Sequence, residues 1–265
     1  MRNKLLEVLW TVCQFIFGIL VVVGILVGIY GFFSQSDQIS FWINVIAAIF
    51  LGGLGYFFVS PIRKARERSE HFRKLLREMG SRSNEAAIRA VEELRALGYL
   101  TNGSISKGTD FSYANLRNAP LKNAKIKGVN LSFAHLEGAD LWLTDFEGAN
   151  FSYAFLENAN LLHTNFERAN LSNTHLERTG IWGVNFRKAH LYYAYFSHAV
   201  FVYTNFSQAD LYGADLRGAE FYKDKFVKKL NLVLQGENSF EGTELPDGSF
   251  WNENTDMTKF TNPQR

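Results

Sequence analysis

The fold is decided by the stretch Ala139-Asp140-Leu141-Trp142-Leu143-Thr144-Asp145-Phe146-Glu147-Gly148-Ala149-Asn150-Phe151, in which large apolar residues stand five apart. Outward from this stretch the spacing continues without interruption from Phe111 to Phe226, giving 24 consecutive positions occupied by Leu, Ile or Phe. Two residues before these positions, Ala stands fifteen times, Thr six times and Val twice, with Asp224 as the exception. Neither a helix of 3.6 residues per turn nor a strand of period two produces this pattern.

A weaker period of 20 residues is superimposed on the period of five. The positions Phe146, Phe166, Phe186, Phe206 and Phe226 are all Phe and fall 20 apart. Four pentapeptides therefore predict one coil, and about six coils at about 4.8 Å each predict a solenoid roughly 29 Å long. The Asn or Asp that often stands between the small and the large residue can hydrogen-bond the backbone at each corner.

Four motifs identify a family that this pattern resembles: Ala139-Asp140-Leu141, Ala149-Asn150-Phe151, Ala209-Asp210-Leu211 and Ala214-Asp215-Leu216. They resemble the pentapeptide-repeat proteins, and the chain as a whole looks like a membrane-anchored bacterial type. The resemblance covers about 116 of the 265 residues. It implies a right-handed, four-sided β-helix whose small and large apolar residues point inward.

Two long uncharged runs precede the repeats. They contain 29 residues between Glu7 and Asp37 and 25 residues between Asp37 and Arg63, and about 20 apolar residues suffice to cross a bilayer as a helix. Lys and Arg flank both runs but are absent from the connection at residues 34–40, which predicts that both termini are cytoplasmic. The sequence therefore predicts a multi-pass inner-membrane protein in contact with the lipid bilayer, with its repeat domain in the cytoplasm.

A secretory signal peptide and a buried core hairpin fit these runs less well. A signal peptide would have a shorter apolar core and a small-x-small cleavage pattern. A buried hairpin would need further elements to cover two helices that are apolar on all sides. Within the predicted membrane helices, small residues at Gly24, Gly28, Gly52 and Gly55 favour close helix packing.

The predicted fold class is an α+β membrane protein with four segments. Residues 1–60 form a hairpin of two transmembrane helices, 61–100 amphipathic linker helices and an N-terminal cap, 101–230 the β-solenoid, and 231–265 a C-terminal cap and tail. In the linker, apolar residues recur at steps of three and four up to Met79, Ser83 can cap a second helix, and Gly98 ends it.

The 20-residue period assigns each outward residue to a side of the solenoid. One side carries an apolar column with flanking apolar residues: Trp142, Leu162, Trp182, Val202, Tyr222, Leu143, Val200 and Tyr203. An exposed apolar patch of a few hundred Å² usually marks an interaction site. We therefore expect a protein partner or self-association at the side of Trp142 and Trp182, or cover from the cap, the linker helix or the bilayer surface. A weaker column of the same kind contains Tyr113, Phe133, Tyr153 and Tyr193, interrupted by Asn173.

The polar positions do not predict an enzyme. His135 and His175 share a side but lie two coils apart with Phe155 between them, too far for one metal ion to bind both directly. Glu137, Glu157 and Glu177 form a column with Arg117 and Arg217 at its ends, which is typical of a solvated, salt-bridged surface. The single cysteine, Cys13, excludes a disulfide. We expect no catalytic residues, no cofactor and no metal site.

The leading functional hypothesis is a membrane-anchored, non-catalytic protein-binding or scaffold module. An alternative is a homo-oligomeric pore or channel-like effector regulated by the solenoid. A third hypothesis follows from the resemblance, since some pentapeptide proteins mimic the shape and charge of duplex DNA and bind gyrase. Residues 101–265 carry 16 basic and 18 acidic side chains, which is too neutral for a DNA mimic, and no nucleic-acid partner is expected.

Overall fold

The structure, a computed structural model, describes residues 60–222, 242–252, 255 and 261–262. The chain divides into two compact units, Met1–Arg68 and Ser69–Arg265. In the first, residues 60–68 are described, and they are helical as part of a helix, α1, over residues 60–79. In the second, α2 spans Asn84–Ala96, and four short strands follow: β1 Gly180–Trp182, β2 Val200–Val202, β3 Glu220–Tyr222 and β4 Thr261–Asn262.

The structure corrects the predicted membrane hairpin. In the part of the chain that is described, no helix has both the length and the apolar composition required to cross a bilayer. In α1, five of the six residues from Arg63 to Arg68 are charged, which is costly in hydrocarbon. This finding overturns the prediction of two transmembrane helices in a multi-pass inner-membrane protein. The uncharged runs behind that prediction lie almost wholly in residues 1–59, outside the described residues, as do Gly24, Gly28, Gly52 and Gly55.

The two helices bury one face each. In α1, Leu75 and Met79 are buried, and Phe72 packs its ring 4.5 Å from that of Tyr99. In α2 the buried residues are Ala87, Ala90, Val91 and Leu94, so the small alanines let the helix approach closely. Ser83 occupies the N-cap position as predicted but makes no side-chain capping bond.

Gly98 determines where α2 ends. Its φ of 77° lies in the left-handed region, which glycine adopts without steric cost. The Gly98 and Tyr99 backbone N–H groups turn back to the carbonyls of Arg95 and Leu94, each at 2.9 Å. These bonds satisfy carbonyls that the helix end would leave unpaired, and the sequence prediction that Gly98 ends the helix is confirmed.

The repeats form a four-sided β-helix in which vertical neighbours are 20 residues apart. Parallel bridges join such pairs from Asp110 with Asn130 to Tyr195 with Asp215. On one side the bridges lengthen into a parallel sheet of order β1-β2-β3-β4. Each coil is hydrogen-bonded in both directions, as where Asn150 N–H donates to Val129 O at 2.9 Å and Tyr153 N–H to Ser172 O at 3.0 Å. The predicted period of 20 is therefore confirmed.

The core is the stack of inward residues. The large apolar residue of every described pentapeptide is buried, and so are the Ala or Val residues two positions earlier. Phe146, Phe166, Phe186 and Phe206 form the predicted ladder, with consecutive ring centroids 5.6, 5.5 and 5.2 Å apart. Phe226 lies outside the described residues. Where a buried Thr replaces Ala in these repeats, its hydroxyl donates to a carbonyl of the preceding coil, as Thr164 does to Leu141 at 2.9 Å.

We expect the Phe166→Ala variant to lose about 3–5 kcal/mol of unfolding free energy, since it removes a ring packed between Phe146 and Phe186 and edge-on to Phe151. Phe166→Leu should cost much less, because Leu occupies equivalent positions in other repeats. Chemical denaturation of both variants tests this. Equal losses in the two variants would show that the Phe ladder has no specific packing role.

The corners follow one design. Where Asn or Asp precedes the large residue, except at Asn115, its side chain accepts a hydrogen bond from the backbone N–H two residues later, as at Asn185 with Arg187 at 3.1 Å. In the described repeats the second residue after each large one has positive φ, and sixteen of these residues are not glycine, with φ between 54° and 62°. This conformation costs roughly 1–2 kcal/mol for a residue with a Cβ. The hydrogen bonds between coils hold it in place.

Asparagine side chains also bond to one another along the solenoid. Nδ2 of Asn165, Asn185 and Asn205 donates to Oδ1 of the residue one coil earlier, at 2.9, 2.9 and 3.0 Å, starting from Asp145. Each amide thus donates vertically while its oxygen also accepts the corner N–H. Such amide ladders stabilise stacked strands.

The Asn185→Asp variant should lose on the order of 1–3 kcal/mol at neutral pH, because a carboxylate cannot donate to Asn165 Oδ1 and adds charge beside Glu167. The loss should shrink in acid, where the new carboxyl can be protonated. Asn115→Asp is the control, since Asn115 Oδ1 already accepts from Arg117 Nη1 at 3.3 Å and a carboxylate preserves this contact. Thermal unfolding as a function of pH distinguishes them, and similar curves for both variants would contradict the ladder's contribution.

Both ends of the solenoid are covered. At the N-terminal end, Asn84 Nδ2 donates to the carbonyls of Asn115 and Arg117 at 3.0 Å each, and Arg95 donates to those of Pro120 and Lys122. At the other end, Glu244 bridges to Asp215, buried Leu245 joins the core, and β4 pairs with β3. Backbone groups at the ends are thus paired, as terminal units of repeat proteins require.

Candidate functional site

The side of the solenoid with the predicted apolar column is built on β1 to β3. Trp182, Val202 and Tyr222 lie directly opposite one another in the parallel sheet. Earlier in the chain, Leu143 N–H donates to Leu162 O and His163 N–H to Trp182 O, both at 2.9 Å, which continues the same column. The structure therefore aligns Trp142, Leu162, Trp182, Val202 and Tyr222 along one backbone ladder.

Exposure varies along this column. Trp182 is 53% exposed, and the flanking Leu143 and Tyr203 are 48% and 65% exposed. Trp142 is half-buried, and the Lys122 ammonium lies 3.6 Å from its ring centroid in a cation–π contact that the sequence did not predict. Tyr222 is half-buried and donates its hydroxyl hydrogen bond to Glu220. We call Leu143, Trp182 and Tyr203 the apolar strip.

The turn position of the strip carries three large residues and one glycine. Leu143, His163, Gly183 and Tyr203 occupy successive coils, and all have positive φ. A Cβ at Gly183 would collide with the His163 imidazole, so glycine lets that ring lie against the backbone. At Gly180, by contrast, an added Cβ would make only an ordinary contact with the Trp182 indole, 3.4 Å from its Nε1. Glycine is therefore required at position 183, between the strip residues Leu143 and Tyr203.

The second aromatic column is self-stacked. The rings of Tyr113, Phe133 and Tyr153 lie 4.9 Å apart and within 5° of parallel. The Arg82 guanidinium lies 5.3 Å from the Tyr113 centroid. Because the ring faces contact one another, mainly ring edges remain for a partner, and the stacking stabilises the coils themselves.

Charged residues on the side that begins with Lys127 are paired. Lys127 lies 2.8 Å from Glu147, Arg168 3.1 Å from Glu147, and Arg187 2.7 Å from Glu167. The Lys127 ammonium, by hydrogen bonding, holds the pKa of Glu147 below its usual range. Ion pairs between neighbouring coils therefore occupy this side of the described solenoid.

The column Glu137, Glu157 and Glu177 is different. Arg117 pairs with Glu137 at 2.9 Å, and His175 Nδ1 lies 3.0 Å from Glu177. Within the described residues, Glu157 has no lysine, arginine or histidine partner, and one carboxylate oxygen of each of the three glutamates is buried without a hydrogen bond. The sequence prediction of a solvated, salt-bridged column is therefore wrong at Glu157.

Burial raises the pKa of Glu157 above its usual range, and the charges of Glu177 and Glu137 raise it further. A raised pKa means that the folded chain binds this proton more tightly than the unfolded chain. The stabilisation from protonation is complete below the ordinary glutamate pKa of 4.5 and is lost as the pH rises through the higher folded pKa.

We expect Glu157→Gln to stabilise the chain at neutral pH in metal-free buffer by on the order of 0.5 kcal/mol, since the side chain is partly solvent-screened. It should also flatten the dependence of stability on pH just above 4.5. Denaturant titrations between about pH 4 and pH 8 measure both effects. Glu147→Gln should have the opposite sign, because it removes the ion pairs with Lys127 and Arg168. A destabilised Glu157→Gln variant would show that burial of this carboxylate is not unfavourable.

A solenoid of four-sided coils, with inward Leu or Phe every five residues and left-handed residues at its turns, defines the pentapeptide-repeat class. The family described as "Pentapeptide repeats (8 copies)" matches residues 107–142, 143–179 and 183–218. These three segments of the chain match the family, and the resemblance that the sequence motifs indicated is confirmed.

Several solved structures of pentapeptide-repeat proteins are similar. One from the thylakoid lumen of Arabidopsis thaliana is 24% identical, covering 57% of this chain and 87% of its own, with a TM-score of 0.31. HetL from Nostoc sp. PCC 7120, involved in heterocyst differentiation regulation, is 25% identical over 54% of this chain and 80% of its own, at 0.25. The plasmid-mediated fluoroquinolone resistance protein QnrB1 is 19% identical over 51% and 79%, at 0.26.

These TM-scores are below 0.5, so the individual structures carry no functional argument. No curated protein sequence matched the chain. Functional inference therefore depends on the side chains that this chain itself presents.

Proposed function

We propose that this chain is a non-catalytic protein-binding scaffold whose partner docks on the apolar strip of Leu143, Trp182 and Tyr203. The observation that carries the proposal is the exposure of these three large side chains, 48%, 53% and 65%, on one side of the β-helix. Trp and Tyr are enriched among residues that dominate binding energy at protein interfaces. Water is displaced from large apolar area when such side chains are covered, which favours association.

The rigidity of the support strengthens this proposal. Trp182 lies in β1, which is paired with β2, and the inward ring of Phe201 in β2 stacks 4.8 Å from that of Phe221 in β3. The strip is therefore presented on backbone that is fixed by inter-coil hydrogen bonds and by buried aromatic rings. A preorganised surface loses little conformational entropy on binding.

The chemistry elsewhere on the described solenoid supports binding at the strip. The aromatic column at Tyr113 to Tyr153 is engaged in its own stacking, and the charged side at Lys127 to Arg187 is engaged in ion pairs. Tyr203 is the most exposed large apolar side chain among the described repeats. Mixed charge also does not favour DNA mimicry, which requires a continuous anionic surface.

The test combines two substitutions on the strip with one control on a different side. Tyr203→Ser together with Trp182→Ser should weaken partner capture or self-association by about 30-fold or more, which corresponds to the loss of one binding hot spot. Tyr153→Ser is the matched control, since Tyr153 has the same pentapeptide position and left-handed backbone as Tyr203 and is 47% exposed. Photo-crosslinking from positions 203 and 153, and the molar mass in solution, provide the measurements.

Crosslinks to a defined protein or to a second copy from position 203 alone, lost in the double variant, would support the proposal. Identical crosslinks and molar mass in wild type, the double variant and the control would reject it. The unfolding midpoint should change little in the double variant, because both side chains project outward, and this keeps a folding defect from being mistaken for lost binding.

A further inference from the structure

The column of Glu137, Glu157 and Glu177 contains an internal comparison between two equivalent sites. In the first, Arg117 Nη2 lies 2.8 Å from His135 Nδ1 and 2.9 Å from Glu137 Oε1. Two coils later, His175 and Glu177 repeat the same pair, with Nδ1 and Oε1 3.0 Å apart. The residue one coil before this second pair is Glu157, so a carboxylate stands where the first site has a guanidinium.

The second site therefore has an excess of negative charge that a bound cation would neutralise. Glu157 and Glu177 each bury one carboxylate oxygen without a hydrogen-bond partner, as Glu137 also does, but only Glu137 has a guanidinium beside it. Within the described residues, neither carboxylate is paired with a lysine or an arginine. Two adjacent carboxylates without a counter-ion repel each other, which is unfavourable for stacking their coils.

The three ligand atoms are close enough that small side-chain rotations would bring them onto one metal ion. One ligand atom each of Glu157, His175 and Glu177 lies within 4.8 Å of the others. The His175 imidazole is held between the rings of Phe155 and Tyr195, with centroid distances of 4.9 and 4.6 Å, so its orientation is fixed before any ion arrives. Metal binding is favoured when neighbouring residues fix the orientation of a ligand side chain in advance.

We propose that Glu157, His175 and Glu177 form a divalent transition-metal site, best suited to Zn²⁺, that joins two neighbouring coils. An imidazole nitrogen with two carboxylate oxygens is a ligand set that zinc accepts, with a fourth position left to water. Mg²⁺ and Ca²⁺ prefer oxygen ligands and more of them than this site supplies. The bound ion neutralises the glutamate pair as Arg117 neutralises Glu137 in the equivalent site.

The experiment is a titration of the full-length chain, freed of metal with a chelator and then dialysed, with Zn²⁺ alone. Calorimetry should show one saturable site that His175→Gln and Glu177→Gln each weaken by about tenfold or more, because loss of even an outer-shell partner costs about that much. Zn²⁺ should also raise the thermal unfolding midpoint of the wild type, since it binds the folded chain, but not that of these variants.

His135→Gln is the matched control. His135 has the same position in its pentapeptide as His175, and both rings stack on Phe155. Each histidine is also followed two residues later by a glutamate, but at His135 the Arg117 guanidinium already occupies the site. Its replacement should leave the affinity for Zn²⁺ unchanged. Glu157→Arg should abolish zinc binding and raise the midpoint of the metal-free chain, by reproducing the arrangement at Arg117.

Three results would overturn the proposal: no saturable zinc binding, equal affinity in wild type and in His175→Gln, or an equal loss of affinity in His135→Gln and His175→Gln. If Glu157→Arg does not fold, Glu157→Gln tests whether Glu157 is a ligand. An affinity for Zn²⁺ equal to that of the wild type in Glu157→Gln would show that Glu157 is not part of the site.

Discussion

The structure depends on hydrogen bonds between backbone segments 20 residues apart. Each coil donates to and accepts from its neighbours, and this ladder can form only because a Leu or Phe every five residues keeps four sides of equal length around a common core. The buried positions carry the hydrophobic contribution to stability, so the remaining three positions of each pentapeptide need not be apolar. Surface chemistry in this protein is therefore nearly independent of the fold, and is ordered by the same 20-residue spacing.

Stacking places residues of the same type in adjacent coils, which is stabilising for some residue types and destabilising for others. Stacked asparagines are stabilising, because an amide both donates and accepts hydrogen bonds, and Asn165, Asn185 and Asn205 form a continuous ladder. Stacked parallel aromatic rings are also stabilising, as in the column from Tyr113 to Tyr153. Stacked carboxylates are destabilising, because an ionised carboxylate can only accept hydrogen bonds. The column at Glu157 is therefore where stacking is electrostatically unfavourable, and this is the column in which we propose a cation site.

The sequence predicted the parts of this structure that follow from residue spacing and local conformation. These are the coil of four pentapeptides, the Phe ladder from Phe146 to Phe206, the corner bonds of Asn and Asp, and the end of α2 at Gly98.

The predicted fold class was wrong in its N-terminal part. A lack of charge over some 25 residues satisfies a hydropathy criterion, but no helix of the described chain meets the length and composition for a span. Contacts between different pentapeptide positions were beyond the spacing rule. Glu157 and His175 occupy different positions of the pentapeptide in adjacent coils, so neither period places them together. Lys122 and Trp142 are 20 residues apart, so the longer period does align them, but spacing alone did not show that the ammonium would lie over the ring.

The covered ends determine how such a molecule can associate. An open coil would present unpaired backbone groups to another copy, and long edges of this kind promote end-to-end assembly. Here Asn84 and Arg95 of α2 bind carbonyls of the first coil, while Glu244 and β4 pair with the last described one. Association through these ends is thereby disfavoured, which leaves the sides as the surfaces for the proposed partner. Among these sides, the one carrying Trp182 and Tyr203 leaves more than half of both side chains open to a partner, and Gly183 at the intervening turn position adds no side chain that would cover them.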